Sequence, residues 1–128
     1  MYNKYMQKIL VIITFIIITS KIVFAIEASP ENIDLGNIPV QGSLIEKAVL
    51  IKNNENNTVF LEKIRSSCGC LLINSKAEQE LRPNDTYKID ISFDPKQVSP
   101  GKFIKYIFLQ FRNAEKSVIV INVKGNLK

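Results

Sequence analysis

The sequence predicts an all-β fold, a sandwich or barrel of about seven strands, on three observations. From Ile26 onward the apolar residues fall in short runs of about four to eight, rich in Ile, Val, Phe and Tyr. Turn-forming residues break these runs at nearly even intervals, as in NNENN, RPND, DPKQVSPG and RNAEK. No stretch of about ten or more residues there sustains the 3.6-residue apolar period of an amphipathic helix.

Taken in order, the chain opens on MYNKYMQKILVIITFIIITSKIVFA, with Lys4 and Lys8 ahead of an apolar-rich run from Ile9 to Thr19. That is the anatomy of a secretory signal peptide, with Val23 and Ala25 at the recognition positions, cleavage after Ala25 and Ile26 as the new N-terminus. The expected organisation is a signal peptide over 1–25 and one domain over 26–128, exported to the periplasm or secreted. The alternative is an uncleaved membrane anchor, but Lys21 interrupts the run short of the roughly 20 apolar residues a spanning helix needs. With the signal removed, no stable membrane span is expected.

The strand candidates follow as ENIDLGNIP (31–39), EKAVLIKN (46–53), TVFLEKI (58–64), CLLIN (70–74), TYKIDISF (86–93), KFIKYIFLQF (102–111) and SVIVINVKG (117–125). The clearest alternation sets Tyr87, Ile89, Ile91 and Phe93 against Lys88, Asp90, Ser92 and Asp94, so one face meets a core and the other meets water. KFIKYIFLQF is apolar on both faces, which suits a central strand whose outer face is covered. SKAEQEL (75–81) reads as at most one helical turn. The core is expected to draw on Val49, Ile51, Ile89, Ile91, Phe93, Leu109 and Ile119.

The chain carries 17 basic and 12 acidic residues and no histidine. Three of the basic residues, Lys4, Lys8 and Lys21, lie in the expected signal, which holds no acid, so the remainder has 14 against 12, a net charge of +2. These charges are interspersed, without the basic patch that a nucleic-acid partner requires. Lack of histidine removes the Ser-His-Asp and Cys-His arrangements and every imidazole metal site. Asp90 and Asp94 share a strand face, but four residues of strand put them about 13 Å apart, too far for a paired acid and base. No catalytic residue, metal site or cofactor is therefore expected.

As an ordered set, IDLGNIPVQG, IKNNENN, IRSSCGC, LRPND, ISFDP, PGKF and INVKGN resemble a bacterial family of exported domains of unknown function that carries an S-C-G-C motif. That family is similar to the Hydin, ASH and major-sperm-protein-like group of immunoglobulin-type β-sandwiches. The resemblance covers Ile33 to Gly125 and implies a seven-stranded immunoglobulin-like fold with a binding or scaffolding role. Gly69, Asp94, Pro95 and Gly101 fall at its turn and motif positions. Where the family has Thr after the second cysteine this chain has Leu71, and where it has Gly after Pro83 this chain has Asn84, which tolerates the same turn.

Cys68 and Cys70 are the only cysteines, separated by Gly69. In a strand their side chains share a face. A disulfide needs Cα atoms within about 6.8 Å, a limit that an extended i, i+2 pair barely reaches unless the glycine bends the backbone. Closing so short a loop gains only about 1.6 kcal/mol on loop entropy. The pair is thus open to three readings: a bonded or packed structural pair, a redox pair, or a soft-metal site for Cu(I). Asp94 and Pro95 read as strand end and turn. The function these features imply is an exported, non-catalytic module for protein interaction or envelope scaffolding. It would engage an unidentified envelope protein through strand edges or the KFIKYIFLQF strand. The alternative is a thiol-dependent redox or copper-handling protein using the C-G-C pair.

Overall fold

The computed structural model describes residues 3–18 and 25–128. Lys4–Ile18 forms the helix α1, and among the described residues no helix is long and apolar enough to cross a membrane. Of the expected cleavage site, Val23 and Phe24 lie outside the described residues, while Ala25 directly precedes the first strand.

Nine strands follow among the described residues: β1 (Ile26–Ser29), β2 (Asn32–Ile38), β3 (Ile45–Asn53), β4 (Val59–Ser66), β5 (Leu71–Ile73), β6 (Gln79–Leu81), β7 (Thr86–Phe93), β8 (Gly101–Arg112) and β9 (Val118–Leu127). They form a four-stranded sheet in the order β1-β3-β7-β5 and a five-stranded sheet in the order β2-β9-β8-β4-β6. Only β2 and β9 run parallel; the other pairs are antiparallel. The alternating burial of each strand closes the two sheets over one core.

Two strands exceed the expected seven. β1 is the four-residue IEAS, whose Ile26 and Ala28 face the core while Glu27 and Ser29 face water. Its alternation was too short to separate from the segment before it. β6 replaces the helical turn expected in SKAEQEL: Gln79, Glu80 and Leu81 pair with Leu61, Phe60 and Val59 of β4. Leu81 is its one apolar residue, and burying that side chain against β4 overrides the local helical preference of a Lys, Ala, Glu and Gln segment. The fourth expected strand also starts later than CLLIN suggests, at Leu71, so both cysteines lie outside it.

All seven expected core residues are buried, and Phe93 of β7 stacks on Phe103 of β8 across the sheets, ring centroids 4.9 Å apart. Gly125 on β9 makes room for that ring, since a Cβ there would lie 2.8 Å from Phe103 Cζ. Asn84 takes φ +68°, the left-handed turn conformation that glycine would otherwise supply. At the same end of the sandwich Asn53, wholly buried, donates its amide to the carbonyls of Asn57 (2.9 Å) and Leu81 (3.0 Å) and accepts from the Glu55 amide (2.9 Å). Glu55 in turn accepts the Glu115 amide at 3.0 Å, so one polar cluster ties three loops together.

Candidate interaction face

β8 lies between β9 and β4, and its two faces differ in fate. Phe103, Ile107, Leu109 and Phe111 point into the core and are buried. Ile104, Tyr106 and Phe108 point outward and remain 57%, 39% and 38% exposed. The covering expected for this outer side is not supplied by the described residues. β9 extends the apolar surface with Val118 and Val120, 48% and 39% exposed, because SVIVIN carries apolar residues at both parities of the strand. Register sets the pieces side by side: Val120 opposes Phe108, which opposes Arg65 of β4, and Val118 and Lys63 flank Gln110. Tyr106 and Phe108 lie 6.3 Å apart, centroid to centroid. Next to this band the Arg112 guanidinium sits 4.6 Å from the centre of the Phe60 ring and 3.1 Å from the Glu62 carboxylate.

The cysteines border this face without being part of it. From Ser66 the chain leaves the five-stranded sheet, crosses through Ser67–Cys70 and enters the other sheet at Leu71. Ser67 fixes the departure, its amide donating to the Tyr106 carbonyl and its hydroxyl accepting the Tyr106 amide, each at 2.9 Å. Within the crossover the Ser66 hydroxyl and the Leu71 amide both donate to the Cys68 carbonyl. The Cys68 and Cys70 sulfurs lie at disulfide-bonding distance, with Cα atoms 5.1 Å apart, closer than an extended pair because the segment turns. Cys70 is wholly buried and Cys68 half-buried. Contrary to expectation, Gly69 does not use glycine's conformational freedom: its φ is not left-handed and an added Cβ would meet open space.

Asp94 and Pro95 come next to the cysteines from the end of β7. The Asp94 amide donates to the Cys70 carbonyl at 2.8 Å, and the Asp94 carboxylate caps the short turn at Pro95–Gln97 by accepting the Lys96 amide at 3.1 Å. Gly101, at φ +117°, opens β8 opposite Leu127 and is not brought to the cysteines. Among the described residues no group of three or more Cys, Asp or Glu gathers as a metal site would.

The sheet edges are short or broken. β1, β5 and β6 span four, three and three residues. β2, the longest edge, loses register between Asp34 and Asn37 and is followed by Pro39. β1 covers β3 only from Leu50 to Asn53. On the uncovered part, Lys47 is exposed at a position whose parity points toward the core, a charge that discourages another strand from pairing there.

This architecture is that of an immunoglobulin-type β-sandwich with one broad, outward apolar sheet. The chain belongs to the family described as Protein of unknown function (DUF1573), whose model matches residues 26–127. Among solved structures it is similar to a protein of unknown function from Porphyromonas gingivalis W83, at TM-score 0.68 and 20% identity, covering 80% of this chain but only 46% of that longer one. It also resembles the ASH/PapD-like domain 7 of human CEP192, at TM-score 0.62 and 13% identity over 86% of this chain and 89% of that one. WR4, a C. elegans MSP family member, matches at TM-score 0.52 and 17% identity over 83% of this chain and 100% of its own. At these identities the likeness is one of fold. No curated protein matches the chain.

Proposed function

We propose that this protein is an exported, non-catalytic β-sandwich module that binds a protein of the cell envelope through the outer face of its five-stranded sheet. The observation that carries the reading is the exposed band of Ile104, Tyr106, Phe108, Val118 and Val120 in the middle of a sheet, where folding alone asks for polar residues. Broken edges favour face packing over strand addition, the two modes left open by the sequence. Export is supported by the character of 1–25 and by a family match that begins at residue 26. The cysteines serve here as a clasp on the crossover, not as a reaction centre: Cys70 is sealed in the core and no third donor gathers at the pair.

The test is photo-crosslinking in the producing cell, with the crosslinking side chain placed at Phe108 or, as control, at Leu50 on the opposite sheet. A discrete adduct from Phe108 alone supports the reading, and equal adducts or none from either position refute it. Intact-mass measurement of the same material should give a chain beginning at Ile26; retention of Met1 would mean an anchored protein instead.

A further inference from the structure

We infer that the partner surface docked on this sheet is a protein surface with an apolar centre and a rim of carboxylates. The inference rests on the interaction reading above and is carried by charge. On the strands of this face Arg112 is held by Glu62 at 3.1 Å and Lys124 by Asp34 at 3.9 Å. Lys63, Arg65 and Lys102 are exposed, and no carboxylate among the described residues lies within ion-pair distance of them. Arg65 stands directly beside Phe108, Lys63 beside Gln110, and Lys102 two residues from Ile104 on the same outward parity. The one unpaired acid on these strands is Glu80, out on β6 at the sheet edge. Just off these strands Glu78 shares a cleft with Lys63 and Arg65, where Lys76 offsets it, so an apolar centre bordered by three cations without an ion-pair partner selects a partner of opposite sign.

The same charge count disfavours the nearer occupants. A second copy meeting this face with its own would bring both basic rims together. The segment Met1–Ala25, apolar and carrying Lys4, Lys8 and Lys21 without an acid, would add cations to cations. The outer face of the four-stranded sheet offers Glu27, Glu46 and Asp90, but Lys52 and Lys88 stand among them, Lys88 holds Asp90 at 3.3 Å and the Asn54 amide donates to Glu27 at 3.2 Å, so only Glu46 is left without a partner and no rim of free carboxylates forms. An anionic lipid surface matches the sign but not the shape. Membrane docking buries apolar side chains about 5–10 Å into the headgroup region. Here Tyr106 and Phe108 are more than half covered, and the Asn122–Asn32 (2.8 Å) and Asn126–Asn37 (3.3 Å) amide pairs run level with them.

The experiment uses the full chain, isotope-labelled in a neutral detergent, and two synthetic amphipathic helices that share one leucine stripe, flanked by Glu in the first and by Lys in the second. The Glu-flanked peptide should shift the resonances of Ile104, Phe108 and Val120 and bind about tenfold more tightly than the Lys-flanked one, with the gap closing as salt rises. In the triple variant Lys63→Glu, Arg65→Glu, Lys102→Glu the preference should invert; all three residues are exposed, and a urea melt checks that the variant folds. Equal binding of both peptides to this face overturns the charge inference and leaves the interaction reading standing. No shift on the face with either peptide overturns both. Sedimentation with phosphatidylglycerol vesicles that drops on Phe108→Ser, or a dimer that Ile104→Ser dissolves, also overturns the proposal by naming a different occupant.

Discussion

On the outside of the four-stranded sheet Glu27, Glu46, Lys52, Lys88 and Asp90 face water, with Leu50 and Leu72 each opposite polar residues, whereas on the outside of the five-stranded sheet Ile104, Tyr106, Phe108, Val118 and Val120 do. Both sheets bury their inner faces in the same core, so the hydrophobic effect within the domain treats them alike. Alternation of apolar and polar residues is what a sheet with one wet face needs, and β7 follows it as far as Ile91; Ser92, expected to meet water, is instead buried and accepts the Asn74 side-chain amide at 2.7 Å. β8 and β9 depart from it at five positions that contribute to no core. Apolar residues kept where folding does not require them are better explained by contact than by stability.

Substitution of neighbours on one strand breaks or sustains that contrast with the largest effect. Leu109→Ala removes a side chain with no exposed surface and should cost about 2–5 kcal/mol. Phe108→Ala, one residue away and facing out with more than half of its side chain covered by sheet neighbours, should cost clearly less, about 1–2 kcal/mol. Urea melts of the two variants decide it. Similar losses would mean that the outer face is itself structural and would remove the ground for treating it as a binding surface.

A smaller effect tests whether the crossover between the sheets is a clasp. Replacing both cysteines by alanine removes a bridge that closes a three-residue loop, worth about 1.6 kcal/mol on loop entropy, and leaves a small gap at Cys70. Alanine is the right replacement, because serine at the fully buried Cys70 would place a hydroxyl in the core and add its own cost. The variant should stay folded with its urea midpoint lowered and with the Tyr106 and Phe108 resonances displaced, since Ser67 ties the crossover to the Tyr106 backbone. An unfolded variant would show that the bridge carries the domain.

What the sequence made legible follows from chain-local pattern. The alternation of TYKIDISF located β7 and its buried face, and the double-sided KFIKYIFLQF located a central strand. β1 and β6 escaped because three or four residues carry too little alternation, and β6 exists only through its pairing with β4. The site was half legible. Ile104, Tyr106 and Phe108 were visible as a second apolar parity, and VIVI offered the same signal for Val118 and Val120. Arg65 and Lys63 were not: nothing in LEKIRSSCGC marks them as neighbours of the aromatic pair, and only the β4–β8 register places them at its border. Likewise the meeting of Asp94 with Cys70 joins positions 24 residues apart (94 minus 70) through one backbone bond, which no local pattern encodes.

The smallest effect on stability should come from the face itself. Ile104 is 57% exposed and Val118 48%, so Ile104→Ser with Val118→Thr removes methyl groups already in water, and its urea midpoint should correspond to a change within about 0.5 kcal/mol. Retention on a phenyl matrix and binding of a hydrophobic dye should nevertheless fall, because both report contiguous apolar surface and not packing. Leu50→Ser is the matched control: Leu50 is 51% exposed, as open as Ile104, but it lies on the other sheet opposite Lys88 and Ser29, without an apolar neighbour across the strand on either side. Its loss should change neither the melt nor the retention. If Leu50→Ser lowers retention as much as the pair on β8 and β9, then isolated exposed side chains account for the signal, and the five-stranded sheet presents scattered apolar residues and not a contiguous surface.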